Sequence, residues 1–134
     1  MVKKKIPNYT VIKDTREQRG WIFNKSDRCD GMRVETLKTG DYTLKGFEEM
    51  VCMERKFSVE EIATNLGKKK KAFGEEMKRM REFPFKFIIC EFTLDDLVNY
   101  PNSIFSEEMK KARPEFTQSK IAERKVTGKY LLKA

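Results

Sequence analysis

Histidine is missing altogether from the 134 residues. Its absence removes Ser-His and Cys-His nucleophilic pairs, His-based zinc sites and any nuclease chemistry whose general base is an imidazole. Cysteine is scarce: Cys29, Cys52 and Cys90 lie far apart with no Cys-x-x-Cys pair, so zinc ribbons are excluded and a disulfide framework is not expected. Cys52 and Cys90 sit in apolar runs and read as buried small hydrophobes in a reducing compartment. No apolar run approaches the ~20 residues that span a bilayer. The Lys3-Lys4-Lys5 start leads into Ile6-Pro7-Asn8 rather than the apolar stretch of a secretory signal. An intracellular protein is expected, in cytoplasm or nucleoid, or in the nucleus of a eukaryote. Any catalysis must rest on carboxylates, lysine, arginine and metal.

Positive charge is plentiful. Twenty-nine Lys and Arg against 21 Asp and Glu leave a net +8, which favours a polyanionic partner through counterion release and electrostatic steering. Nucleic acid fits that charge better than a membrane surface does. The length suits one domain over residues 1–134, and 39% hydrophobic residues supply an ordinary core.

The stretch from Thr39 to Lys56 holds the densest chemistry. Tyr42 to Leu44 and Met50 to Met53 are short aromatic, β-branched and apolar runs, and Gly46 to Glu49 can turn the chain between them. A hairpin is expected, with Asp41 at its entrance and Glu54 and Lys56 near its exit. Strand side chains alternate, so Glu54 and Lys56 share a face and Arg55 points to the other. Two carboxylates suit a hard cation such as Mg²⁺, and a nearby ammonium can orient water or steady phosphate charge. The spacing alone is equally met by a surface hairpin with scattered charges.

Upstream, Tyr9 to Lys13 reads as a strand running into the charged cluster Asp14, Arg16 and Glu17, placed where α/β proteins put ligand-binding groups. A solvated turn is the alternative there. Trp21 and Phe23 offer apolar anchors, Asn24 to Gly31 reads as loop, and Arg33 to Leu37 alternates like a strand. Downstream, Ser58 and Glu61 have capping-box spacing, so a helix is expected to begin there, with Val59, Ile62, Ala63 and Leu66 inward and Gly67 as its stop. Lys68, Lys69, Lys70 and Lys71 lead into a second helix with Phe73, Met77, Met80 and the stem of Arg81 inward. Phe85 to Phe92 is nearly continuous in apolar residues, as a central strand covered on both faces would be. Thr93 to Val98 reads as a short capped helix before Pro101. Phe105 to Lys133 is helical in character, interrupted at Pro114 and Gly128, and Tyr130 to Ala134 resembles the opening of another helix.

Taken together these residues resemble the XPF/Hef-type structure-specific endonuclease family. Its signature is Gly-Asp, a variable gap, Glu-Arg-Lys, three residues and Asp, and Gly40-Asp41 with Glu54-Arg55-Lys56 matches it. Asp14 to Glu17 matches the family's upstream Asp-x-Arg-Glu, and a basic helix followed by an apolar strand ending in Glu matches Phe73 to Glu91. The resemblance covers roughly residues 8–100 and sits closest to small single-domain members of phage type. One position departs: Glu60 stands where the family has Asp, with Glu61 immediately after it. The tandem helix-hairpin-helix module of many relatives is absent from this sequence, which reads as a domain that a longer product could continue.

The resemblance implies an α/β fold of the restriction-endonuclease-like class, a mixed sheet flanked by helices. It implies Mg²⁺- or Mn²⁺-dependent hydrolysis of DNA phosphodiesters, in branched or flap DNA, in repair or recombination. Asp41 and Glu54 would hold the metal, with Asp14 as a further ligand and Glu17 supporting it. Lys56 would orient the attacking water, and Arg55 would brace the hairpin with Glu60 as its partner. Arg16, the four lysines from Lys68 to Lys71, and Arg79 would contact DNA. A homodimer or partner subunit would dock through the C-terminal helical region. A non-cleaving DNA-binding module of the same fold is the main alternative, and a basic RNA-binding or assembly protein a third. A second Glu-Arg-Lys, Glu123 to Lys125, lies in a helix-forming stretch that would turn Glu123 and Lys125 about 200° apart, and is expected to be solvated helix surface.

Overall fold

The computed structural model describes residues 4–133. Lys3 of the basic start and Ala134 of the expected terminal helix lie outside them. The chain forms two compact units, each built from two segments: Met1–Arg55 with Glu76–Ile89, and Lys56–Glu75 with Cys90–Ala134.

The first unit carries a mixed α/β architecture around a five-stranded sheet. Its strands are β1 (Tyr9–Asp14), β2 (Cys29–Glu35), β3 (Tyr42–Leu44), β4 (Val51–Lys56) and β5 (Phe85–Cys90), in the order β2-β1-β3-β4-β5. β1 pairs parallel with β2 and antiparallel with β3, and β3 pairs antiparallel with β4. β5 follows β4 in parallel: Phe85 N–H donates to Met50 C=O and Glu91 N–H to Lys56 C=O with one constant offset. A parallel pair needs a crossover of a dozen or more residues; residues 15–28 supply it for β1 and β2, and two helices supply it for β4 and β5. Val11, Ile12, Tyr42 and Cys52 are almost fully buried in this sheet. Tyr42 stacks on Trp21 with centroids 5.1 Å apart, and Trp21 N–H donates to the Tyr42 hydroxyl at 2.7 Å.

Two strand expectations need correcting. β2 begins at Cys29, inside the stretch read as loop, because parallel pairing with β1 recruits it past Gly31, whose φ of +104° a side chain would resist. β5 is an edge strand, and all six of its residues are exposed rather than covered on both faces. Cys90, at its end, is exposed where a buried thiol was expected, while Cys52 is buried.

The crossover helices are α1 (Val59–Leu66) and α2 (Lys70–Arg81). Ser58 caps α1 by accepting from Glu61 N–H at 3.2 Å, and Gly67 ends it. Phe73 and Met80 are buried on α2, Met77 is half-buried, and Arg81 is exposed rather than turned inward. In the second unit, Val59, Ala63, Tyr100 and Leu131 form a buried core with Ile62, Leu66, Leu97 and Val126 packed on it. Full burial of side chains such as Val59 and Leu131 stabilises by about 1.5–3 kcal/mol each. The remaining helices are α3 (Leu94–Val98), capped by Thr93 with Asp96 in a reciprocal box, α4 (Glu107–Ala112), α5 (Pro114–Ala122) and α6 (Gly128–Leu131). Pro114 begins α5 at its first turn, the position where its fixed φ and missing N–H suit a helix. Among the described residues no helix is long and apolar enough to cross a membrane.

Candidate functional site

Three acidic residues lie at one level of the sheet on neighbouring strands. Asp14 ends β1, and its N–H donates to Asp41 C=O at 2.8 Å. Asp41 in turn holds β4 on both sides of Glu54: its own N–H donates to Met53 C=O at 2.8 Å, and its carboxylate Oδ2 accepts from Arg55 N–H at 2.8 Å. Gly40 makes this approach possible. At φ +83° it occupies left-handed backbone, and a Cβ there would sit 2.6 Å from Cys52 Sγ and 3.0 Å from Met53 O. The Gly-Asp pair is thus a steric necessity for bringing Asp41 against β4.

Along β4 burial alternates. Cys52, Glu54 and Lys56 are buried, while Val51, Met53 and Arg55 are less so, as the pleat of a strand requires. Burying charge this way is expensive unless partners answer it, and such groups concentrate at functional sites. Arg55, on the other face, pairs with Glu17 at 3.7 Å and lies 5.8 Å over the Trp21 ring. The carboxylate paired with Arg55 is thus Glu17 rather than the expected Glu60, which pairs with Arg124 instead. Cys52 contributes no nucleophile: burial pushes its thiol up to about 11, and the charges of Glu54, Glu76 and Asp41 push the same way.

Asp14 is differently engaged. Burial pushes its carboxyl up, but hydrogen bonds from the Arg16 side chain, Leu37 N–H and Arg16 N–H outweigh that and leave it below its ordinary value. Arg16 Nε donates to Oδ2 at 2.8 Å, and Leu37 N–H donates to Oδ1 at 2.8 Å. Both oxygens are thus taken, and direct metal ligation by Asp14 would require Arg16 to withdraw. Arg16 itself remains 69% exposed. Arg79 Nε donates to Thr39 Oγ1 at 3.3 Å, two residues before Asp41.

In the second unit, Lys56 and the two candidate acids sort in an order that counting does not give. Glu60, at the signature position, pairs with Arg124 at 2.6 Å, not with the lysine. Glu61 is the carboxylate beside Lys56, with Oε1 3.8 Å from Nζ and Oε2 accepting from Phe57 N–H at 2.9 Å. The Lys56 ammonium also lies 5.2 Å over the Phe73 ring, and its side chain is only 4% exposed. Lys68, Lys69, Lys70 and Lys71 are all exposed, without an ion pair among the described residues. The second Glu-Arg-Lys is not helix surface: α5 ends at Ala122, Glu123 caps it, and Arg124 is anchored to Glu60.

Glu76 on α2 went unnoticed in the sequence, although its charge acts on both Cys52 and Arg16 together with that of Asp41. A signal was present, since Glu76 falls on the stripe of Phe73, Met77 and Met80 at helical spacing. An acid on an inward stripe is the pattern that marks it.

Among the described residues no group of three or more His, Cys, Asp or Glu is disposed to hold a metal ion. The donor set that remains, Asp41 and Glu54, fits Mg²⁺, which takes one or two carboxylates and fills its other positions with water and substrate phosphate. Comparison with protein-family models, curated proteins and solved structures gives no match to this chain.

Proposed function

We propose that this chain is a Mg²⁺- or Mn²⁺-dependent endonuclease of the XPF/Hef type, hydrolysing phosphodiesters in branched or flap DNA. One observation supports the reading: Asp41, of the Gly-Asp pair, is fastened to β4 immediately before and after Glu54, the first residue of the Glu-Arg-Lys run. When bound, the metal would polarise the scissile phosphate and lower the pKa of an attacking water. Asp41 and Glu54 would hold it. Lys56, two residues beyond Glu54 on the same strand, would orient that water or offset charge on the phosphate. Arg16, bonded to Leu37 C=O, and Arg79, bonded to the Thr39 hydroxyl, would grip phosphates, and the exposed lysines from Lys68 to Lys71 would add sequence-independent affinity.

The occupied oxygens of Asp14 favour a second reading, a module of the same fold that binds branched DNA without cutting it. Incubation with labelled flap, fork, junction and duplex DNA in Mg²⁺, Mn²⁺ or EDTA separates the two. Metal-dependent cleavage supports the nuclease. Structure-selective binding with no cleavage in either metal refutes it and leaves the binding module.

A further inference from the structure

A cavity of about 700 Å³ in the second unit lies between α1 and the segment that follows α5, within the ~300–1,000 Å³ range of small-molecule sites. Part of its wall is apolar, from Ala63, Tyr100 and Val126, of which Ala63 and Tyr100 are buried. The remainder is charged, and the charges do not cancel. Glu60 is answered by Arg124 at 2.6 Å and Glu123 by Lys120 at 3.2 Å. Arg124 is held further by Lys120 C=O at 3.0 Å. Lys68 and Lys125 also line the cavity, and neither has an ion-pair partner among the described residues.

Two lysine charges therefore remain. α1 and α5 both end beside this space, and each carbonyl terminus contributes roughly half a negative charge. About one positive charge is left over, beside an apolar wall, in a space far larger than a lone anion needs. We propose that this pocket binds a phosphate-bearing ligand of mononucleotide size, its phosphate between Lys68 and Lys125 and its base against Tyr100 and Val126. Lysine suits the task, because a compact ammonium on a flexible stem meets phosphate oxygens without demanding one geometry. The second Glu-Arg-Lys thus gains a role: Glu123 and Arg124 are neutralised locally, and Lys125 is the charge that is offered. None of this rests on the metal-dependent reading.

The ligand could be a free mononucleotide or the phosphorylated end of a DNA strand. Titration calorimetry on the full chain uses dAMP, deoxyadenosine and inorganic phosphate, then an oligonucleotide with and without a terminal 5′-phosphate. One dAMP is expected to bind per chain, with deoxyadenosine at least about tenfold weaker. Two partly exposed charge contacts predict a loss of about tenfold in the double variant Lys68→Gln, Lys125→Gln. Lys111→Gln, at an exposed lysine that does not line the cavity, should bind as the unaltered chain does. If the double variant melts early, Lys68→Arg with Lys125→Arg should restore dAMP binding. Failure of the unaltered chain to bind dAMP, undiminished binding in the double variant, or equal loss in Lys111→Gln overturns the proposal. Tighter binding of the 5′-phosphorylated oligonucleotide than of the unphosphorylated one assigns the ligand to a DNA end, and equal binding of the two assigns it to the free nucleotide; both outcomes uphold the site.

Discussion

The carboxylate of Asp41 accepts the main-chain N–H of Arg55 at 2.8 Å, so an acid proposed to hold metal also serves as a strand-pairing group. The two duties separate by substitution. Asp41→Asn keeps an acceptor oxygen for Arg55 and removes the charge, so its melting temperature should stay near the original while Mg²⁺-dependent cleavage is lost. Asp41→Ala removes both and leaves a main-chain donor unanswered, which costs about 1–3 kcal/mol. Chemical denaturation and cleavage assays on the pair check this, and full cleavage by Asp41→Asn would sink the metal assignment.

Glu60 and Glu61 should behave oppositely to what their place in the signature suggests. Glu60 pairs with Arg124 at a half-exposed position, and such pairs contribute about 0–1 kcal/mol, so Glu60→Gln should be nearly as stable and as active as the unaltered protein. Glu61→Gln keeps an oxygen for Phe57 N–H but withdraws the negative charge beside the buried Lys56. It should slow single-turnover cleavage by about tenfold or more. A double-mutant cycle with Lys56→Ala should show strongly non-additive rates. Additive effects would confine Glu61 to capping α1.

Gly40 and Gly46 share nearly the same φ, +83° and +86°, but only Gly40 has atoms within reach of an added Cβ. Gly46→Ala should therefore cost about 1–2 kcal/mol, the left-handed penalty alone. Gly40→Ala should cost clearly more and abolish cleavage, because the clash with Cys52 and Met53 displaces Asp41 from β4. Equal losses in urea denaturation would mean that the close approach is not what Gly40 provides.

Asp14 makes the fold sensitive to acid. Its carboxyl titrates below the ordinary 3.8 in the folded chain, so the stabilisation it gives is fully present above the unfolded value and is lost as pH falls through the folded one. The unaltered chain should lose melting temperature steeply below about pH 4. Asp14→Asn should start lower at pH 7 and decline less over the same interval. Parallel curves for the two would show that Arg16 and Leu37 do not favour the charged carboxylate.

The parts of the fold that the sequence displayed are those decided locally. The cap of α1 at Ser58, the Thr93 box of α3, the Gly46 turn and the alternation of Cys52, Glu54 and Lys56 each depend on residues within a few positions of one another. What stayed hidden depends on distant partners. The apolar run of β5 shows that both faces are apolar, and nothing in it says whether anything covers them. Glu60 finds Arg124 sixty-four positions later, so counting from Lys56 could not reveal which of two adjacent acids stands beside the lysine. β2 starts early because β1 supplies hydrogen bonds that no propensity within Asn24 to Gly31 foretells.

The discontinuity of the two units bears on how the protein is made. β4 is complete at Lys56, but its parallel neighbour β5 begins only at Phe85, after α1 and α2. A chain synthesised from its N-terminus therefore carries every carboxylate of the proposed site well before the sheet has its fifth strand. Until then β4 presents an open row of main-chain donors and acceptors, and closing it means bridging the whole crossover, the slow kind of non-local pairing. Ribosome-bound chains arrested where β4 has left the exit tunnel but β5 is still inside it should be cleaved by added protease within β4. Chains arrested far enough past Cys90 for β5 to have left the exit tunnel should resist there. Protection of β4 in the shorter chains would show that its edge does not wait for β5.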